Sequence, residues 1–484
     1  MDLLIALPAL TAALAFMTRR PGLLFALLLG TALIHLGLTC WLLGQPLAPP
    51  SAEWIQLDAT GAMFLGITSL LFLMGAIYAV GYLKREEAGA RTDLIEGLLF
   101  KNAPLSMFVG CLLAFLASMT LVCLSHHLNL LWIAVEATTL ASAPLIYFHR
   151  HHRSLEATWK YLLVCSVGIG LALLGNLFLV VAGSTVSELA SSPLQLSALV
   201  ARARQLDVPW LKLAFVLQLV GYGTKMGLAP LHTWLPDTHS ESPSVVSALL
   251  SGTLLNCAFL AILRSCQITE AAGIGAYSGG MLVTLGLVSL GVAALFILNT
   301  RDFKRMLAYS SVEHMGILAL GTGLGGLARF GAMLHAVNHS LVKATLFLVA
   351  GNLMHAYHTR TIARVRGLTR WLPASGALWL GGFLALSGSP PFGPFMSELI
   401  IFRGALQDGR FVVAGLFAAT LALVFIGMSR AVLGMAQGAP PERPPQSEPG
   451  WSVLPPLLLL SLSLVLGVYL PEPLAQLLRG AAGQ

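Results

Sequence analysis

Charged side chains are scarce in this 484-residue sequence: 10% of the residues are Asp, Glu, Lys or Arg, whereas 56% are hydrophobic. Soluble domains carry about 25% charged residues, so this chain has too few charges to cover a water-exposed surface of its size. The scarcity excludes an ordinary soluble protein. Apolar runs recur along the chain, and a bilayer crossing needs about 20 helical residues. We therefore predict an all-α polytopic membrane protein.

Cysteine is also scarce, and the six cysteines are scattered in or beside apolar runs without a CxxC pair. This spacing argues against an iron–sulfur or zinc site and against a disulfide framework. The net charge of +7 is not gathered into a basic patch interleaved with aromatics, so nucleic-acid binding is not expected. We expect no cofactor and no metal bound by this chain.

Apolar runs between polar or Pro/Gly-rich breaks predict fourteen membrane-spanning helices. They lie near residues 3–18, 22–44, 61–83, 104–124, 127–148, 157–183, 208–235, 243–264, 277–299, 304–323, 328–356, 374–404, 411–435 and 451–470. The loops are short, and the one stretch that resembles a linker is the Pro-rich segment 437–450. These loops leave no room for a soluble catalytic domain.

The basic residues are divided unevenly between the loops. Of the 28 Lys and Arg residues, seventeen lie in odd-numbered loops, seven in even-numbered loops and the C-terminus, and four inside spans. Because cytoplasmic loops are enriched in Lys and Arg, the odd-numbered loops are predicted to be cytoplasmic and both termini periplasmic. Lys304 and Arg305, at the cytoplasmic end of the tenth span, are predicted to be orientation charges. We expect a bacterial cytoplasmic (inner) membrane.

The four lysines inside predicted spans are Lys160, Lys212, Lys225 and Lys343. An ionisable group at membrane depth costs roughly 3 kcal/mol or more, so it persists mainly where it is paired, hydrated or functional. Lys160, four residues after Glu156, is interpreted as either a helix-start ion pair or an entrance to a proton path. Lys212 is interpreted as a side chain that snorkels to the interface.

Lys225 lies in GYGTKMGLAPLHTWLPDTH, about two-thirds along the seventh span. Pro230 and Pro236 each remove a backbone donor, so the helix is predicted to be interrupted just after the lysine. Broken helices near the midplane hold the ion sites of many transporters. We therefore predict a functional role for Lys225.

Glu136 lies midway along the fifth span, in LLWIAVEATTLASAP, with Thr138, Thr139 and Ser142 as possible hydration partners. A carboxylate at this depth stays charged only where a cation faces it, and Lys225 is the natural candidate. The alternative is a protonated structural Glu that is hydrogen-bonded to a neighbouring helix.

The eleventh span carries His335, His339 and Lys343 in MLHAVNHSLVKATLF. A spacing of four puts all three on one helical face and predicts a ladder of protonatable groups. A haem site is the weaker alternative, because axial histidines usually come from facing helices and no partner pair is evident. His335 could instead satisfy only a backbone carbonyl.

Glu398 closes GSPPFGPFMSELIIF in the twelfth span, which Pro390, Pro391 and Pro394 are predicted to break. The two broken helices are five helices apart, which suggests two copies of a five-helix unit. An odd number of helices inverts the second copy, as in many secondary transporters. Lys225 and Glu398 would then occupy related positions, one in each half.

This division assigns residues 1–100 to three N-terminal helices and 101–265 to the first repeat. Residues 266–436 form the second, inverted repeat, and 437–484 form a Pro-rich linker and a last helix. Glu313 and His314, in RDFKRMLAYSSVEHMG, fall in the tenth span, the repeat partner of the span that carries Glu136.

Three segments together resemble a known family. They are GYGTKMGLAPLHTWLPDTH, HAVNHSLVK and KRMLAYSSVEHMG, and the resemblance extends over roughly residues 100–430. The chain resembles the antiporter-like subunits of respiratory complex I, of membrane-bound hydrogenases and of multisubunit cation/proton antiporters. Within the family, LWIAVEATTLASAPLIYFHR and AYSSVE most resemble the F subunits of hydrogenase 4, which are components of formate hydrogenlyase-type complexes.

The resemblance implies fourteen helices in two inverted repeats and a role for each buried charge. Glu136 and Lys225 would be the conducting pair of the first half. The central relay would be His335, His339 and Lys343, and Glu398 the terminal site. The chain departs from several relatives at one position in the eighth helix, where they carry Lys or His and this chain has Asn256. Asn cannot accept a proton at neutral pH, so the bridge between the halves would use water or another residue such as His232.

We therefore expect a proton-translocating, non-redox membrane subunit of an NADH dehydrogenase-like or hydrogenase 4-like oxidoreductase complex. Its expected partners are other membrane subunits and a peripheral redox arm, either a nickel–iron hydrogenase or a dehydrogenase. A sodium/proton antiporter subunit is the first alternative, although lysine suits Na⁺ poorly as a ligand. A quinone-reactive subunit and a purely structural anchor are the others.

Overall fold

The computed structural model describes residues 1–46, 53–86, 90–92, 99–189, 193–439 and 448–484. Up to residue 271 it contains α1 (Asp2–Met17), α2 (Pro21–Leu43), α3 (Ala59–Arg85), α4 (Leu105–Leu124), α5 (Leu128–Ile146), α6 (His152–Ala182), α7 (Leu196–Ala201), α8 (Val208–Met226), α9 (Trp234–Glu241), α10 (Ser244–Leu249) and α11 (Leu255–Ala271). A π-helical segment, Leu250–Leu254, joins α10 to α11. Strands β1 (Ala90–Thr92) and β2 (Leu99–Lys101) pair antiparallel.

The remainder is helical as well. It contains α12 (Gly275–Asn299), α13 (Phe303–Leu324), α14 (Gly326–Tyr357), α15 (Leu368–Trp371), α16 (Pro373–Leu386), α17 (Gly393–Gln407), α18 (Phe411–Ala436), α19 (Gly450–Val468) and α20 (Glu472–Ala482). Short 3-10 turns occur at Ser187–Leu189, Ala203–Gln205 and Ile362–Arg364. Of the predicted linker, residues 440–447, which include Arg443, lie outside the described residues.

Ten helices in the described ranges are long and apolar enough to cross a membrane: α2 to α6, the continuous α10–α11 helix, α12, α14, α18 and α19. The prediction of an all-helical polytopic membrane protein is confirmed. The sixth predicted span begins five residues too late, because α6 starts at His152. Glu156 and Lys160 therefore lie within the first turns of this helix.

Both predicted helix breaks are confirmed. Helix α8 ends at Met226, where Gly227 takes a φ of +86°, and α9 begins at Trp234. Helix α16 ends at Leu386, Gly388 takes a φ of +62°, and α17 begins at Gly393. Glycine adopts this left-handed conformation without steric cost, which lets each helix end inside the protein.

The two breaks do not place Lys225 and Glu398 equivalently, contrary to the prediction. Lys225 lies in the last turn of α8, before its break, whereas Glu398 lies in α17, after its break. The proline pattern predicted where the helices break but carried no information about which side of each break bears the charge.

Facing glycines hold two helix pairs at close range. A Cβ atom added to Gly221 of α8 would lie 2.5 Å from the Gly168 oxygen of α6. One added to Gly279 of α12 would lie 2.5 Å from the Gly323 oxygen of α13. Small residues let helix backbones approach closely in membranes. The first contact sets α6 directly against the end of α8 that carries Lys225.

A buried ion pair joins the start of α3 to α11. Arg264 is fully buried, and its two terminal nitrogens lie 2.5 and 2.7 Å from the Asp58 carboxylate. Asp58 also accepts from the Gly61 amide at 2.9 Å as the N-cap of α3. Burial opposes the charge on Asp58, but the Arg264 guanidinium outweighs it and holds the pKa of this carboxyl well below its usual range.

Replacement of Asp58 by Asn should destabilise the protein strongly, because it leaves the Arg264 charge buried without its counter-ion. We expect Asp58→Asn to cost about 3–5 kcal/mol, measured by thermal unfolding of the purified protein in detergent. The matched control is Glu472→Gln, which breaks the solvent-exposed pair with Arg479 (3.1 Å) and should change the melting temperature little. Equal effects of the two substitutions would contradict a structural role for the buried pair.

Candidate functional site

The first buried cluster surrounds Lys225. Its side chain is completely buried, and Nζ donates to Thr139 Oγ1 and to the Tyr161 hydroxyl, both at 2.7 Å. Nζ also lies 4.6 Å from the centroid of the Tyr161 ring, where the negative face of the ring attracts a cation. Hydrogen bonds from α5 and α6 thus replace the water that the ammonium group loses.

Glu136 lies beside this cluster, at the outer edge of α5. Its Oε2 accepts from Thr139 Oγ1 at 3.1 Å, and its Oε1 accepts from Ser166 Oγ of α6 at 3.0 Å. Within the described part of the chain, no ion pair joins Glu136 directly to Lys225. The predicted pair is instead bridged by the Thr139 hydroxyl. The alternative, a Glu hydrogen-bonded to a neighbouring helix, is also realised in part through Ser166.

The second buried cluster lies on α14, where the three predicted residues His335, His339 and Lys343 are all fully buried. Lys343 Nζ donates to the Leu307 carbonyl at 2.8 Å and to the Ser310 hydroxyl, both on α13. The three residues share one helical face, as predicted, but each takes its own partners on neighbouring helices.

His314 of α13 connects the two histidines of α14. Its ring centroid lies 4.9 Å from that of His335 and 4.9 Å from that of His339, and its Nδ1 lies 2.8 Å from His335 Nε2. His335 Nδ1 lies 2.9 Å from Ser397 Oγ, whose own proton goes to the Pro394 carbonyl at 2.9 Å. The hydrogen-bond pattern therefore assigns protons to Nδ1 of both rings.

Glu398 adjoins this histidine pair at the second helix break. One ligand atom from each of His314, His335 and Glu398 lies within 4.8 Å of the other two, so the three could approach a cation. Both nitrogens of His335 are already hydrogen-bonded, which leaves an incomplete ligand set. Gly388 makes room for the carboxylate, since a Cβ there would lie 2.0 Å from Glu398 Oε2.

Glu313, a secondary candidate, lies between the lysine and the terminal glutamate. Its side chain is buried, and Oε2 has no hydrogen-bond partner among the described residues. Its charge acts on both Lys343 and Glu398. This carboxylate thus links the electrostatics of α14 to those of α17.

Polar but non-ionisable groups lie between the two clusters. Asn256 Nδ2 donates to Ser340 Oγ at 2.7 Å, so Asn256 contacts α14 as a hydrogen-bond donor. His339 Nε2 lies 3.3 Å from the Ser251 carbonyl in the π-helical segment, and Ser251 Oγ lies 2.8 Å from Ser311 Oγ. A π-segment frees backbone carbonyls from the helical ladder and often marks a functional position.

Two secondary candidates contact neither buried lysine. Lys160 pairs with Glu156 at 2.6 Å and with Asp237 at 2.9 Å, and its side chain is half-exposed. Of its two interpretations, the structure shows the ion pair. His232, in the turn between α8 and α9, packs its ring edge-on against Phe296 and Tyr309.

Two further lysines differ in their surroundings. Lys304 was predicted to be an orientation charge, but it is fully buried and donates to the Ser242 carbonyl. That prediction was wrong for Lys304, because α13 begins beneath the turn after α9. Lys212 keeps its ammonium 5.1 Å from the centroid of the Tyr277 ring.

Sequence reasoning missed several residues of the site. Tyr161 and Ser310 hold the two buried amines, Ser397 fixes the orientation of His335, and Ser251 accepts from His339. Tyr161 could have been found, because a tyrosine inside an apolar span needs a hydrogen-bond partner. The serines gave no signal, since Ser in a membrane helix commonly bonds to its own backbone.

Two clusters of buried ionisable groups, each beside a broken helix, define a polytopic ion-translocating membrane subunit of the antiporter-like class. The family described as NADH:quinone oxidoreductase/Mrp antiporter, TM, matches residues 125–424, and the chain belongs to this family. A similar curated protein is the hydrogenase-4 component F homolog of Methylacidiphilum infernorum (isolate V4), which is 36% identical over 87% of each chain.

Solved structures agree on the fold. A chain of the Mrp complex from Dietzia sp. DQ12-45-1b superposes with a TM-score of 0.85 at 21% identity, covering 99% of this chain and 96% of that one. A chain of respiratory complex I from Thermus thermophilus gives 0.76 at 26% identity, covering 96% of each. The fold is therefore that of the antiporter-like subunits.

The Ser397 hydroxyl should stabilise the histidine pair. Ser397→Ala leaves His335 Nδ1 buried without a partner, and we expect a loss of about 1–3 kcal/mol in detergent unfolding experiments. Ser463→Ala is the matched control, because the Ser463 hydroxyl is buried without a partner in the described structure. The control should leave stability unchanged or slightly higher. A neutral Ser397→Ala variant would contradict the assigned hydrogen bond.

Proposed function

We propose that this chain is the proton-translocating membrane subunit of a hydrogenase 4-like or NADH:quinone oxidoreductase-like complex. One observation carries the proposal: Lys225 is completely buried, yet a single hydroxyl connects it to a carboxylate at the protein edge. Dehydrated ionisable groups inside a membrane mark ion pathways and proton relays. The family and the hydrogenase-4 relative support this assignment.

The proposed path begins at Glu136 and Lys225. The negative charge of Glu136 stabilises the Lys225 ammonium, and neutralising or moving that charge leaves a dehydrated ammonium that gives up its proton. Neighbouring polar groups, Asn256 among them, would hold water that carries the proton toward Lys343. Asn256 itself orients water but takes no proton.

In the second half, the proton would pass from Lys343 and His339 to the histidine pair and then to Glu398. Glu313 lies within electrostatic reach of both ends of this stretch. Imidazoles in hydrogen-bond contact can exchange protons near neutral pH, and the 2.8 Å contact between His314 and His335 provides such a step. We place the release of the proton on the outer side, beyond Glu398.

The finer architecture is part of the proposal. Ten helices meet the length and hydropathy criteria, and α1, α13 and the two broken pairs α8/α9 and α16/α17 would bring the number of spans to fourteen. We propose inverted repeats at residues 101–265 and 266–436, preceded by residues 1–100 and followed by 437–484. The left-handed glycine at each break, Gly227 and Gly388, supports the correspondence.

The excess of Lys and Arg in the odd-numbered loops supports the proposed orientation, with both termini on the periplasmic side of a bacterial inner membrane. The buried amines also favour protons over Na⁺ as the transported ion, because an ammonium repels a metal cation.

The edge formed by α5 and α6 supports a partner subunit in the membrane. Ser166, which donates to Glu136, is exposed in the isolated chain, and it is flanked by Leu163 and Val167, exposed by 61% and 67%. A carboxylate and a hydroxyl facing lipid are costly, so another protein should cover them. The redox chemistry would belong to a peripheral arm.

Lys225→Met should abolish proton pumping by the assembled complex, because the variant has no ionisable group at the end of α8. The measurement is electron-transfer-driven acidification in membrane vesicles, normalised to the amount of complex. The matched control is Lys212→Met, which removes the lysine beside Tyr277 and should leave pumping intact. Undiminished pumping by Lys225→Met would refute the proposed function.

A photo-crosslinking residue, benzoylphenylalanine, at position 167 should react with another membrane subunit, because this position borders the exposed polar edge. Mass spectrometry of the adducts in intact membranes identifies what lies there. The same residue at position 284, exposed on α12, controls for non-specific reaction. Lipid adducts alone at position 167 would exclude a partner at this edge.

A further inference from the structure

We propose that the Thr139 hydroxyl is the obligatory proton relay between Lys225 and Glu136. The inference rests on the proposed function and refines it, since it names the group through which the two ionisable residues exchange a proton. Thr139 touches both reacting groups and would therefore take part directly in the transfer.

The geometry of Thr139 suits a relay. Its side chain is fully buried, and its Oγ1 accepts from Lys225 Nζ at 2.7 Å and donates to Glu136 Oε2 at 3.1 Å. Among the described residues, Lys225 and Glu136 have no contact within ion-pair distance of each other. The hydroxyl is thus a continuous hydrogen-bonded bridge between them.

The direction of the Thr139 hydrogen bond is unusual for its setting. Hydroxyls in apolar helices commonly donate to a carbonyl three or four residues earlier, and three neighbours in the cluster do so. Thr138 donates to Val135, Ser142 to Thr138, and Thr224 to Val220. Thr139 instead commits its proton to a carboxylate, so this proton is available for transfer.

Tyr161 does not offer a competing route to Glu136. Its hydroxyl accepts from Lys225 and lies 2.7 Å from Ser142 Oγ. Ser142 donates its own proton to the backbone of α5, so the Tyr161 proton points to Ser142. Tyr161 therefore positions the amine, whereas the path to the carboxylate passes through Thr139.

The proposed step conserves atoms and charge. An N–H bond of the Lys225 ammonium breaks as an O–H bond forms at Thr139 Oγ1. The original Thr139 O–H bond breaks as an O–H bond forms at Glu136 Oε2. The products are a neutral amine, a neutral carboxylic acid and an unchanged threonine. The reverse step charges both residues again.

Each transfer reverses the hydrogen bonds of the bridge. Afterwards Thr139 carries the proton that came from Lys225 and donates to the amine, while the acid of Glu136 donates to Thr139. A second proton cannot follow in the same direction until the Thr139 hydroxyl has turned back. The bridge thus passes one proton in each cycle.

The test compares valine and serine at position 139 in the intact membrane complex. Thr139→Val keeps the shape but removes the hydroxyl, and proton pumping should fall roughly 100-fold, the range for loss of a positioned proton-transfer group. Thr139→Ser restores a hydroxyl and should retain pumping. Thr138→Val is the matched control, because the Thr138 hydroxyl bonds only to its own helix.

The outcomes separate the relay from the proposed function. Normal pumping by Thr139→Val, with pumping lost in Lys225→Met, overturns the relay and leaves the function standing. Normal pumping by Lys225→Met overturns the function itself. If Thr139→Val assembles poorly, Thr139→Ala removes the hydroxyl without adding bulk, and normal pumping by that variant also overturns the relay. Equal losses in Thr138→Val and Thr139→Val would indicate a packing effect and refute the relay.

Discussion

The cost of placing an ammonium group where no water reaches it governs this structure. Lys225 is 0% exposed, and it is tolerable only because hydroxyls from two other helices meet its nitrogen. That requirement explains why α6 crosses α8 through facing glycines and why α8 ends one residue after the lysine. The same cost makes the charge of Lys225 sensitive to any change in the carboxylate beyond Thr139.

The two clusters meet this cost in different ways. In the first, one amine is held by hydroxyls and balanced by one carboxylate at the edge of the molecule. In the second, two imidazoles share a hydrogen bond, and two further carboxylates lie near them. An amine with one counter-ion is either charged or neutral, whereas a chain of imidazoles can pass a proton along without a lasting charge. The first cluster is suited to gating and the second to conduction.

Much of the fold follows from patterns that a sequence displays directly. Apolar runs locate the spans, and glycine with proline locates both breaks, because backbone donors and left-handed conformations are properties of single residues. The buried lysines stand out for the same reason. The contacts of Thr139 and Ser397 do not, since they depend on how each helix is rotated about its axis. A one-dimensional pattern does not encode that rotation, and the same limit hid the burial of Lys304 and the central place of His314.

The half-exposed Glu136 has a consequence for how the protein is made. A chain that inserts alone would present a carboxylate and the Ser166 hydroxyl to lipid, and would bear that cost until a neighbour arrives. The residue that starts the proposed path therefore also distinguishes an orphan subunit from an assembled one. Completing the site and completing the complex are one event, so unassembled copies cannot leak protons through a finished pathway.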